Sequence, residues 1–191
     1  MSAYRDRLLA KTRPHTNTEP STKSGVITIY VDGSYDPGTH IAGWGWVAVD
    51  HDGIELAREW GGVFDHYSSR NITGECEAAL RTLKWLSRSG TEFAGAKIVY
   101  DYKGLGEWAL GRWKAKTVVA KQYIQECASI PLAIGLKLEF AHVRGHSGCK
   151  WNEVADTLAE LGKTKSGMIG YDWGAYTEMT SKAVLCDGHE L

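Results

Sequence analysis

The pattern of apolar and polar positions changes character near residue 26. Residues 1–24 are polar, carry Pro14 and Pro20 and include a Thr/Ser-rich run. Such a segment buries too little surface to offset the entropy of ordering, so a flexible N-terminal arm is expected over 1–24, with room for a short helix over 4–9. From Val26 the run VITIYVDGS is β-branched and closes on Gly33-Ser34, which predicts a strand with Asp32 at its end. AGWGWVAVD (42–50) and GIELAREWGGVF (53–64) follow as two more strands around the turn-forming His51-Asp52-Gly53, giving an antiparallel meander.

Helical spacing then takes over. In TGECEAALRTLKWLSRSG (73–90), Cys76, Ala79, Leu80, Leu83 and Leu86 recur on one face, Thr73 is the expected N-cap, and Gly90 ends the run. Glu75 is thereby expected in the first turn. AKIVYDY (96–102) predicts a fourth strand ending at Asp101. Residues 104–134 have a broken helical period, with glycines at 104, 106 and 111, and predict a short helix, a basic bend and a longer helix. LKLEFAHVRG (136–145) is a fifth strand, and NEVADTLAELGK (152–163) is a closing helix that presents Asp156. This order predicts an α/β fold: a five-stranded mixed sheet, three antiparallel strands followed by parallel ones, flanked by helices. Residues 165–191 have no clear period and read as a C-terminal extension, leaving one domain over 25–164.

Composition narrows the function classes modestly. A chain of 191 residues that is 43% hydrophobic supports one well-packed core. With a net charge of -1 the molecule as a whole does not attract polyanions, so any nucleic-acid affinity has to come from a local patch. Residues 103–121 supply one, with Lys103, Arg112, Lys114, Lys116 and Lys121 against Glu107, interleaved with Trp108 and Trp113. A solvated helix face is the rival reading of those residues. The four cysteines form no CxxC pair, which argues for plain thiols over a zinc site or a disulfide framework. No stretch approaches the roughly 20 apolar residues of a membrane span, and the N-terminus lacks the apolar core of a secretory signal, so a cytoplasmic protein with no membrane partner is expected, as a monomer.

The candidate chemistry lies in four acids: Asp32, Glu75, Asp101 and Asp156. Each has an ordinary explanation taken singly: a turn former, a macrodipole partner, a strand-end polar residue, a solvated helix position. Taken together, each falls where a strand ends or a helix exposes one face. Like charges converging in a fold repel one another unless a divalent cation neutralises them, so the set reads as a metal-dependent enzyme. Hard oxygen ligands suit Mg²⁺, with Mn²⁺ as a substitute.

VDGS at 31–34, GECEAAL at 74–80, VYDY at 99–102 and RGHSGCKWNEVAD at 144–156 resemble, in order and spacing, the four acidic motifs of type 1 ribonuclease H. The resemblance covers about residues 26–163 and implies a ribonuclease H-like fold that cuts the RNA strand of RNA–DNA hybrids, leaving 5′-phosphate and 3′-hydroxyl ends. Asp32 looks like the acid that bridges two Mg²⁺ ions, with Glu75, Asp101 and Asp156 completing the catalytic and metal site. Glu75 fits the family pattern better than Glu77, two residues on. His146 resembles the family's loop histidine that assists the leaving group near neutral pH. Asn71 matches a substrate-contacting position, and Trp113, Lys114 and Lys116 fall in a segment similar to a basic protrusion that grips the hybrid duplex. Asp36 stands where an Asn is common and Lys103 where a Ser-Gln type pair is frequent, so the substrate contacts of those loops are not implied. Two rivals remain at this point: another nuclease of the same fold acting on DNA, and a non-catalytic hybrid-binding module.

Overall fold

A computed structural model describes residues 24–65, 69–89, 92–145 and 147–164. The expected N-terminal arm and C-terminal extension lie outside the described residues. Five strands, β1 (Ser24–Asp36), β2 (Ile41–Val49), β3 (Glu55–Phe64), β4 (Phe93–Tyr100) and β5 (Lys137–His142), form one sheet in the order β3-β2-β1-β4-β5. The first three pair antiparallel, while β4 runs parallel to both β1 and β5. Four helices complete the described fold: α1 (Asn71–Ser89), α2 (Lys103–Ala109), α3 (Val118–Ile134) and α4 (Lys150–Gly162).

The helices divide the core in two. On one face Ile27, Ile29 and Val31 of β1 and Ile98 of β4 meet Leu80, Leu83 and Leu86 of α1 and Tyr123 of α3. On the other face Tyr30, Val47, Val49 and Val99 meet Trp151, Val154 and Leu158 of α4. Every residue of β2 is buried, as befits a strand covered on both sides, and this is why it reads as a nearly continuous apolar run. Helix α3 is bounded by local chemistry. Thr117 accepts a hydrogen bond from the Ala120 backbone N–H at its start, and Gly135 takes the left-handed conformation at its end.

Three expectations are corrected. β1 does not close at Gly33-Ser34; it runs on to Asp36 paired with β2, and the turn falls at 37–40, where the Asp36 carboxylate accepts from the Gly38 N–H and the Thr39 hydroxyl. Helix α1 starts at Asn71, so Thr73 is inside it and donates its hydroxyl to the buried Asp65, which also accepts the Ser69 and Arg70 N–H groups. Glu75 therefore sits in the second turn. Cys76 and Cys127 are free thiols, but Cys149 is disulfide-bonded. No helix among the described residues is long and apolar enough to cross a membrane.

Candidate active site

The register of the two central strands places the first pair of acids. β1 and β4 pair in parallel as far as Tyr30 opposite Val99. Two residues further on each strand come Asp32 and Asp101, at the point where β1 stays with β2 while the chain after β4 turns away. The carboxyl ends of parallel strands leave a crevice there, which is where open α/β sheets bind ligands. Strand alternation puts Asp32 on the same face as Tyr30, the side covered by α4.

Helix α1 brings the third acid through backbone contact. A Cβ on Gly33 would stand 2.1 Å from the Glu75 backbone nitrogen, and one on Gly74 would stand 3.0 Å from the Gly33 Cα. Only two glycines allow the helix to press this closely on the strand. The Glu75 side chain consequently reaches the crevice, buried to 5% exposure. Ligand oxygens of Asp32, Glu75 and Asp101 all lie within 4.8 Å of one another.

Helix α4 adds a stripe at helical spacing. Asn152 donates to Asp101 Oδ2 at 3.5 Å, Asp156 lines the cleft one turn later, and Glu160 follows after another turn and accepts the Ser34 hydroxyl at 2.5 Å. Lys163 extends the stripe, donating to Glu160 Oε1 at 2.7 Å and to Ser34 Oγ at 3.1 Å. The resulting cleft, about 400 Å³, is lined by Asp32, Glu75, Asp101, Glu153, Asp156 and Glu160, with Lys163 the one cation among the described lining residues.

The electrostatics of this cleft ask for a counter-charge. Burial first, then Asp101 and Asp156, push the Asp32 carboxyl up to about 8. Glu75 is held well above the ordinary carboxylate range by burial first, then by Asp32 and Asp101. Glu75 Oε2 and Asn152 Oδ1 are both buried with no hydrogen-bond partner, a costly state for a polar atom with nothing to bind. Converging oxygen donors, mutual repulsion and an orphaned carboxylate oxygen fit a divalent cation held by hard ligands.

The sequence-predicted residues divide clearly by position. Asp32, Glu75, Asp101 and Asp156 share the cleft, and Asn71, the first residue of α1, lines it too. Glu77 points elsewhere and pairs with Arg81 at 3.3 Å. Trp113, Lys114 and Lys116 do not line the cleft; they are exposed on the bend between α2 and α3, while Trp108 is buried in the core. His146 lies outside the described residues. Sequence reasoning does not single out Ser34, Glu160 or Lys163. The signal for the last two is present in the chain, since they continue the face of Asp156 at the fourth and seventh positions beyond it.

Known proteins match this chain in sequence and in fold. The RNase H family model matches residues 24–164. A ribonuclease H from Methylobacillus flagellatus is 31% identical over 147 residues, which is 73% of this chain and 92% of the relative. Among solved structures, RNase H1 from the archaeon Halobacterium salinarum superposes with a TM-score of 0.60 at 22% identity, covering 72% of this chain and 97% of its own. LC11-RNase H1, solved in complex with an RNA/DNA hybrid, gives a TM-score of 0.61 at 24% identity over 72% of this chain and 96% of its own. The sheet order, the converging acids and the match over residues 24–164 together establish that the chain belongs to the RNase H family.

Proposed function

We propose that the protein is a divalent-metal-dependent endoribonuclease that hydrolyses the RNA strand of RNA–DNA hybrids, giving 5′-phosphate and 3′-hydroxyl ends. The observation that carries this reading is the convergence of Asp32, Glu75 and Asp101 within 4.8 Å, with Glu75 Oε2 buried and unpartnered. Asp32, Glu75, Asp101 and Asp156 would hold two Mg²⁺ ions. When bound, such ions lower the pKa of attacking water and stabilise charge on the leaving oxygen. Water adds at phosphorus and releases a proton to solvent, the bond to the 3′-oxygen breaks, and that oxygen takes up a proton; His146 is the proposed proton donor.

The protein's own groups supply placement. Asp32 is fixed by its strand and by the Gly33 N–H, which donates to Oδ1 at 2.7 Å. Glu75 is fixed by the close approach of α1, and Asn152 steadies Asp101. Asn71, which lines the cleft, would contact a sugar or phosphate, and the exposed Trp113, Lys114 and Lys116 would hold the duplex farther out. Preference for RNA over DNA would rest on the 2′-hydroxyl and on hybrid shape, with little base specificity. A hybrid bound to a structural relative supports the choice of substrate.

The test is a side-by-side incubation of end-labelled hybrid, RNA duplex and DNA duplex with Mg²⁺. The reading expects cleavage of the RNA strand of the hybrid alone, with ligatable 5′-phosphates. Cleavage of the DNA duplex, or hybrid binding without cleavage in either Mg²⁺ or Mn²⁺, would overturn it.

A further inference from the structure

Beyond the four acids, the cleft contains a second built feature. Lys163 caps the end of α4, and its backbone rides directly on the sheet: a Cβ on Gly43 would stand 2.5 Å from the Lys163 nitrogen and 3.0 Å from its Cβ. Gly43 is the cross-strand partner of Ser34. This contact sets the lysine side chain over Ser34, where its ammonium is held by Ser34 Oγ and by both oxygens of Glu160. The side chain keeps 27% of its surface exposed, so the ammonium stays reachable from the cleft.

The position matters because Ser34 lies two residues beyond Asp32 on the same strand and the same face. Two residues of strand span about 6.6 Å, comparable to the separation of neighbouring phosphates along one nucleic-acid strand. A phosphate seated at Asp32 would therefore leave the next phosphate of the same strand near Lys163. Six carboxylates line the cleft, and two divalent ions offset four of them, so the remaining two disfavour a polyanion there unless a cation is stationed beside it.

We propose that Lys163, pre-positioned by its backbone contact with Gly43 and by Ser34, binds the backbone phosphate adjacent to the scissile one; this rests on the reading of the protein as a hybrid nuclease. Glu160 then restrains the affinity, because it competes with the phosphate for the same ammonium. The rival is a lysine that merely complements the carbonyl end of α4 and neutralises Glu160.

The experiment measures hybrid binding by fluorescence anisotropy against salt in metal-free buffer, alongside kcat and KM for cleavage, in the full chain and in Lys163→Gln, Lys163→Arg and Glu160→Gln. Loss of one phosphate contact should reduce the salt slope of Lys163→Gln by about 1 and weaken binding about fivefold at moderate salt. KM should rise while kcat is retained. Lys163→Arg should restore both slope and KM, and Glu160→Gln, by releasing the ammonium, should bind hybrid about two- to threefold more tightly. A Lys163→Gln protein with an unchanged salt slope, or weaker binding by Glu160→Gln, would overturn the inference while leaving hybrid cleavage by the unmodified chain intact. An unmodified chain that neither binds nor cuts hybrid would overturn the nuclease reading and this inference with it.

Discussion

The acidic cleft and the basic bend gather charge by opposite means. In the cleft, Asp32 and Glu75 are 6% and 5% exposed, and they are held by a strand pair, a two-glycine backbone contact and a helix stripe. At the bend after α2, Arg112, Trp113, Lys114 and Lys116 are exposed on a turn organised mainly by backbone, with the Arg112 and Trp113 N–H groups both donating to the Glu107 carbonyl. Burying like charges is expensive and is sustained only where the surrounding fold enforces it. Displaying cations in water costs almost nothing. The cleft is therefore strong evidence of function by its geometry alone, whereas the bend carries weight only as a supporting surface.

The sharpest way to break this contrast is to remove one buried charge. Asp32→Asn should lower hybrid cleavage on the order of 10³-fold and should at the same time stabilise the metal-free protein. The sign follows from Asp32 titrating near 8 in the fold, chiefly through burial and then through Asp101 and Asp156, against the ordinary carboxylate range in the unfolded chain. The folded protein holds the proton more tightly, so metal-free stability is greatest below the ordinary carboxylate pKa and falls as pH rises through about 8. Chemical denaturation of the metal-free protein at several pH values should show this fall, flattened in Asp32→Asn. Mg²⁺ should reverse the fall in the unmodified chain and not in the variant. Stability that rises with pH over this window would contradict the account.

Next in size is the backbone contact. Gly33→Ala places a methyl group against the Glu75 nitrogen with no flexible neighbour to yield, and should cost about 2–3 kcal/mol in a denaturant titration. A variant as stable as the parent would mean that α1 is not held against β1 as described. The smallest effect belongs to the bend. Replacing Lys114 and Lys116 together with Gln should weaken hybrid binding several-fold and lower the salt slope by about 2, with kcat and melting temperature little changed. If this pair instead abolished turnover, the division between a built cleft and a displayed patch would fail.

Much of this molecule is legible in its chain. The strand and helix order follows from periodicity, and the four acids stand out because their ordinary explanations would have to coincide. Where the local pattern misleads, tertiary contact is the common cause. Gly33-Ser34 looks like a turn, yet Gly33 is there because α1 passes within contact distance, and Ser34 is there facing Glu160, 126 residues away. Thr73 looks like an N-cap, yet its hydroxyl serves Asp65 on the chain leaving β3. Glu160 and Lys163 escape notice because a charged pair three residues apart near a helix end is ordinarily a solvated surface pair. Helix phase alone does not decide between Glu75 and Glu77; position in the fold does, since Glu75 lines the cleft and Glu77 pairs with Arg81.

The central claim is that buried acids, with a divalent ion, cut the RNA strand of a hybrid. The most direct measurement is cleavage of a hybrid labelled on its RNA strand by the unmodified chain and by Asp101→Asn, each with Mg²⁺ and with chelator. The account predicts cleavage only by the unmodified chain in Mg²⁺. Activity that survives either the substitution or the chelator would contradict it.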